Sequence, residues 1–116
     1  MEKGGSILVV EDDAALRMVC RVNLELDDFR VCEAGSVEEA RAAVALERPG
    51  LVFLDLHLGS TASDELLAEL LAGGIPVVVV SGTIDVAEYE ARASAVMPKP
   101  FEPSTLVEAA RTYSVG

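Results

Sequence analysis

Leu51-Val52-Phe53-Leu54-Asp55 is the stretch whose reading decides how this chain folds. Four apolar residues run without a polar break and end on a carboxylate. A strand covered on both faces has this pattern, because parallel sheets bury both sides. Pro49-Gly50 punctuates its start, and Gly59-Ser60-Thr61 opens a loop beyond it. Open α/β sheets bind ligands outside the carboxyl ends of their strands, so Asp55 is predicted to stand at the functional edge.

Working outward, Ser6-Ile7-Leu8-Val9-Val10 is a second apolar strand, ending on Glu11-Asp12-Asp13. Three adjacent carboxylates repel one another. They read either as a solvated turn with Asp13 as a helix N-cap or, beside Asp55, as part of a cation site. A helix is predicted from about Ala14 to Leu26, with Arg17, Arg21 and Glu25 as one narrow solvated stripe. Leu16, Val19, Cys20 and Leu24 are expected to face inward. Met18, Val22 and Leu26 widen the apolar arc, through deeper burial or as a partner-docking surface.

Phe29 to Glu33 alternates and is short, as an edge strand does. Ser36 and Glu39 form a capping-box pattern that opens the next helix. Asp64 to Leu71 is helical and closes at Gly73-Gly74. Pro76-Val77-Val78-Val79-Val80 is a β-branched strand ending on Ser81. Ala95-Val96-Met97 follows and leads into Pro98-Lys99-Pro100-Phe101, and Pro103 opens a closing helix. Five βα units with right-handed crossovers make a parallel five-stranded sheet with helices on both faces.

The chain of 116 residues has the size of one domain, 1–116, with a core over about 6–113. A net charge of −11 argues against direct contact with nucleic acid or anionic lipid and favours a cation wherever acids crowd together. No apolar run approaches the ~20 residues of a membrane span. Met1-Glu2-Lys3-Gly4-Gly5 lacks the apolar region of a secretory signal, so a cytoplasmic home is expected. Cys20 and Cys32 lack metal-ligand spacing and are expected to be buried free thiols.

Four strand ends therefore converge: Glu11-Asp12, Asp55, Ser81 and Lys99. An aspartate can accept a phosphoryl group as an acyl phosphate, and a hard cation held by carboxylates neutralises the charge in transfer. The segments ILVVEDD, LVFLDL, VVVVSG and MPKPF together resemble the receiver domain of two-component response regulators. That resemblance implies a flavodoxin-like (βα)5 fold, order 2-1-3-4-5. It implies that Asp55 takes phosphate from a histidine kinase or histidine phosphotransfer protein, with Mg²⁺ as cofactor. Asp12 and Asp55 would bind Mg²⁺ directly, Glu11 through water, and His57 through its backbone carbonyl. Ser81 would hydrogen-bond the phosphoryl group, Lys99 would pair with it, and Pro100 would follow a cis bond.

Three departures from the family stand out. The loop after Asp55 lacks the usual Met-Pro-Gly turn. Val96 occupies the position of the family's switch aromatic. The interval from Ser81 to Lys99 is short, leaving about two helical turns for a shortened fourth helix. Partners are therefore expected on the first helix and on the loop after Lys99. His57 reads as a solvent-exposed loop histidine without catalytic duty rather than as a phosphodonor or general base, and the resemblance implies a variable position that tunes hydrolysis of the acyl phosphate.

The function expected is a phosphoacceptor regulator with self-catalysed phosphotransfer, not an enzyme. It would act through protein contacts as relay, sink or partner regulator, either standing alone or as a domain of a hybrid kinase. Two alternatives are a degenerate receiver that only binds, and a haloacid-dehalogenase-type phosphohydrolase. The latter's motif has a second aspartate where this chain has His57.

Overall fold

The computed structural model describes residues 5–56, 61–82 and 92–114. Five strands, β1 (Ile7–Val10), β2 (Val31–Ala34), β3 (Leu51–Asp55), β4 (Val77–Ser81) and β5 (Ala95–Pro98), form one sheet in the order β2-β1-β3-β4-β5. Every pairing is parallel. Four helices are described: α1 (Ala14–Leu26), α2 (Val37–Leu46), α3 (Thr61–Ala72) and α4 (Pro103–Tyr113). The short helix expected between Ser81 and Ser94 falls on residues 83–91, outside the described residues, as does His57.

Alternation along the strands builds two cores. Leu8, Val10, Val52, Leu54, Val77 and Val79 pack beneath Ala40 of α2 and Leu66, Leu67 and Leu70 of α3. Ile7, Val9, Leu51, Phe53, Val78 and Val80 pack beneath Cys20 and Leu24 of α1 and Leu106 and Ala110 of α4. Both faces being covered is the reason the strand sequences show no polar alternation. β2 is an edge, as its short alternating pattern predicts. Its Cys32 is accordingly only half-buried, a correction to the two buried thiols expected. Cys20 is buried, and desolvation, followed by the charge of Glu11, pushes its thiol up to about 11.

Local signals hold at the helix starts. Asp13 is the N-cap of α1, its Oδ1 accepting from the amides of Ala15 and Leu16 at 2.9 and 3.2 Å. Ser36 caps α2 by accepting from the Glu39 amide at 3.1 Å. Glu39 returns the bond one residue early, to the Gly35 amide at 2.7 Å rather than to Ser36. Pro103 opens α4, and the bond between Lys99 and Pro100 is cis.

The surface of α1 differs from its expected partition. Arg17 and Arg21 are half-buried, because their guanidinium groups lie over the sheet edge and both pair with Glu33 of β2. Val19, expected inside, joins Met18, Val22 and Leu26 in facing solvent. Met18 is 53% exposed and Leu26 is 78% exposed, so deeper burial does not describe this arc.

Candidate functional site

Register brings the acids together. Val10 is level with Leu54 across β1 and β3, so Glu11 and Asp55, each one residue further on, reach the same height at the carboxyl edge. Asp55 in turn pairs with Val80, which places Ser81 one step beyond it on β4. The ladder continues past β5, where the Lys99 amide donates to the Ser81 carbonyl at 3.0 Å. Asp55, Glu11, Asp12, Ser81 and Lys99 thus occupy neighbouring positions on one edge.

The side chains converge as the backbone does. Glu11, Asp12 and Asp55 each present an oxygen within 4.8 Å of the others. Glu11 is 5% exposed and Asp55 6%, whereas Asp12 faces outward. Asp13 is drawn off by its capping role, which resolves how three consecutive acids divide their tasks. Lys99 Nζ sits 2.9 Å from Glu11 Oε1 and 3.1 Å from Asp55 Oδ2. The Asp13 amide donates to Glu11 Oε2 at 3.1 Å. Ser81 is buried at the same edge.

Burial raises the pKa of Glu11 above its ordinary value of 4.5. Lys99 and the Asp13 amide pull it down without cancelling the effect, and the neighbouring Asp55 pushes it up. For Lys99 burial acts downward, but hydrogen bonds to Glu11 and Asp55 outweigh it and raise its pKa above 10.5. The ammonium is therefore already acting as a cation between two buried carboxylates.

The donor set fits a hard divalent ion. It consists of carboxylate oxygens, the ligands Mg²⁺ and Ca²⁺ prefer. They line a cleft of about 20 Å³ with Val10, Gly35, Ser36, Val37 and Ser63, roughly the room one water-sized body needs. Ser63 was not anticipated from the sequence. It is buried at the start of α3, in register with Leu66, Leu67 and Leu70 on the inward face. A polar residue at that helical spacing is the signal that could have found it.

A doubly wound parallel sheet with an acidic, lysine-bridged site at its carboxyl edge is the flavodoxin-like class of α/β domain. The chain belongs to the response regulator receiver domain family, whose family model matches residues 7–111. It is 32% identical over 112 residues to the phosphate regulon transcriptional regulatory protein PhoB of Pseudomonas aeruginosa, covering 90% of this chain and 49% of PhoB. It is 33% identical over 101 residues to the KDP operon transcriptional regulatory protein KdpE of Escherichia coli, covering 83% and 45%. This chain thus spans about half the length of these curated relatives.

Among solved structures, the receiver domain of NtrX from Brucella abortus aligns with a TM-score of 0.83 at 30% identity, covering 93% of this chain and 97% of that one. A CheY-like receiver domain protein from Methanospirillum hungatei aligns with a TM-score of 0.82 at 28% identity, covering 95% and 93%. Among the described residues, no helix is long and apolar enough to cross a membrane.

Proposed function

We propose that this chain is a phosphoacceptor signalling domain in which Asp55 takes a phosphoryl group from a phosphohistidine on a histidine kinase or histidine phosphotransfer protein. The carrying observation is the placement of Asp55: a buried strand-end carboxylate within a three-acid cluster, 3.1 Å from an ammonium. An Asp55 oxygen attacks phosphorus, an O–P bond forms as the donor's N–P bond breaks, and the imidazole leaves with the electron pair. Mg²⁺, when bound, supplies charge neutralisation on the phosphoryl oxygens. Asp12 and Asp55 would hold it directly and Glu11 through water, with the His57 carbonyl completing the protein ligands. Lys99 pairs with the transferred group and the Ser81 hydroxyl donates to it.

The phosphorylated domain acts through protein contacts, as relay, sink or partner regulator. The net charge of −11 supports a protein as the surface this domain touches directly, and the donor class supports a cytoplasmic location. The test is incubation with acetyl phosphate and Mg²⁺ followed by mass spectrometry. One labile phosphate mapping to Asp55, released by alkali and by hydroxylamine as an acyl phosphate is, is expected. Continuous release of phosphate from many esters would identify a hydrolase instead, and no modification a module that only binds.

Mg²⁺ should also raise the melting temperature of the protein. An ion that binds only the folded state at a hundred times its Kd adds about 2.7 kcal/mol. Asp12→Asn should shrink that rise, and a flat Mg²⁺ titration would count against the site. The pH dependence follows from Glu11. Its folded pKa is raised, so its charged form destabilises the metal-free protein above that value. The penalty is relieved as pH falls through the folded pKa towards 4.5. Protons compete with the ion there, so the Mg²⁺-induced shift should diminish over the same window.

Docking of the phosphodonor is assigned to α1, where Met18, Val19, Val22 and Leu26 form one exposed apolar stripe on the helix that leads away from the acidic edge. Met18→Glu and Val22→Glu should each slow phosphotransfer from a cognate kinase about tenfold or more. Their uptake from acetyl phosphate should be unchanged, since that donor needs no docking. Equal loss with both donors would place the damage in the fold and remove α1 from the interface.

A further inference from the structure

Residue Glu11 is held at more than its carboxylate. Its amide donates to the Ala34 carbonyl at 3.0 Å, and its carbonyl accepts from Arg17 Nη1 at 2.7 Å. The Arg17 amide closes on the Asp13 carbonyl at 2.9 Å. One residue on the first turns of α1 therefore brackets the Glu11–Asp13 turn from both ends. Its guanidinium is itself seated: Nε donates to Glu33 Oε1 at 3.2 Å, while Arg21 Nε lies 2.8 Å from Glu33 Oε2. Gly35 leaves the space. A Cβ there would lie 3.1 Å from Arg17 Nη1, closer than ordinary contact allows.

We propose that Arg17, anchored by Glu33 and admitted by Gly35, is a positioning residue that fixes the Glu11–Asp12 turn and so sets the affinity of the acidic cluster for a divalent cation. The inference rests on the reading of Glu11, Asp12 and Asp55 as that cation site. Two physical effects oppose one another when Arg17 is removed. Loss of a nearby positive charge favours cation binding. Loss of the carbonyl clamp lets the ligand-bearing turn wander, and groups that orient ligands in this way are typically worth 10–100-fold in metal affinity. Glu33 already pairs with the Arg17 charge and the ion pair is partly exposed, which weakens the first effect. The clamp dominates.

The test is Mg²⁺ affinity of the full chain, read by titration calorimetry or by amide shifts, with the metal-free melting temperature measured alongside. Arg17→Met should weaken Mg²⁺ binding about tenfold. Arg17→Lys should not rescue it, because an ammonium cannot serve the Glu11 carbonyl and Glu33 with a planar fork. Glu33→Gln, which keeps the Arg17 charge but loosens its seat, should weaken binding several-fold, as should Gly35→Ala. If Arg17→Met does not fold, these last two variants carry the same test.

Unchanged or tighter Mg²⁺ binding in the folded variants overturns the proposal, as does a fall in melting temperature without a change in affinity. A wild-type protein that binds no Mg²⁺, with Asp12→Asn indistinguishable from it, overturns the cation site itself. That outcome is separable from a wild type that binds normally beside an Arg17→Met variant that also does.

Discussion

Asp55→Asn should take up no phosphoryl group from either acetyl phosphate or a histidine kinase. An amide oxygen lacks the charge and the nucleophilicity of a carboxylate, and its adduct would not form a stable anhydride. The surrounding structure gives the substitution little reason to disturb the fold. Asparagine has the same shape, and in the native site two buried carboxylates share the single ammonium of Lys99. Neutralising one of them relieves repulsion, so the metal-free melting temperature should be equal to wild type or higher. The Mg²⁺-induced shift should shrink, since one of three ligand carboxylates is gone. Full phosphate uptake by this variant would move the acceptor to another residue and undo the assignment.

Lys99→Met should have the second large effect, of a different kind. A lysine at a strand end ordinarily faces solvent, where truncation leaves the fold untouched. The structure has its side chain only 20% exposed, clamped between Glu11 and Asp55. Removing one partner of a buried ion pair leaves uncompensated charge, at about 3–5 kcal/mol when burial is complete. The remaining exposure lowers the expected loss to roughly 2 kcal/mol in the metal-free protein at neutral pH.

Mg²⁺ should restore most of that loss, because it supplies the missing positive charge. Acidification should also narrow the deficit. The pKa of Glu11 is already raised by burial, and without Lys99 it loses its strongest downward pull, so it protonates at higher pH than in the wild type and sheds the penalty. In the wild type the Lys99 contribution is complete below 10.5 and fades only as pH rises through its elevated folded pKa. Phosphate uptake should persist in the variant while signalling to the partner fails. A Lys99→Met protein as stable as wild type in chelator would show that the clamp contributes nothing.

What could be read from the sequence follows from the range of the interactions. The strands were legible because burial on both faces leaves unbroken apolar runs, and their carboxyl ends named Glu11, Asp12, Asp55, Ser81 and Lys99 directly. Asp13 and Ser36 were legible as caps because a capping bond spans two or three residues. The environment of Lys99 was not, since its partner Glu11 lies 88 residues away in the chain. Helical periodicity placed Leu24 and Cys20 inside α1 but put Val19 with them, because spacing identifies a face without saying what covers its margin. Arg17 and Arg21 looked solvated for the same reason. Their pairing with Glu33 depends on a strand that follows the helix, and no local pattern encodes it.

The continuous ladder from β1 through β3 and β4 to Lys99 makes the strands a ruler for the chemistry. Adjacent strands stand about 4.8 Å apart, so the gaps between Glu11, Asp55, Ser81 and Lys99 are multiples of a spacing the backbone cannot stretch. Connecting loops can then lengthen, shorten or change composition, as the turn after Asp55 has done, without altering the distance between reacting groups. An insertion of one residue inside Leu51–Asp55 has the opposite character. It would turn the side chains beyond the inserted residue to the other face and carry the acceptor off the edge while leaving each individual residue type in place.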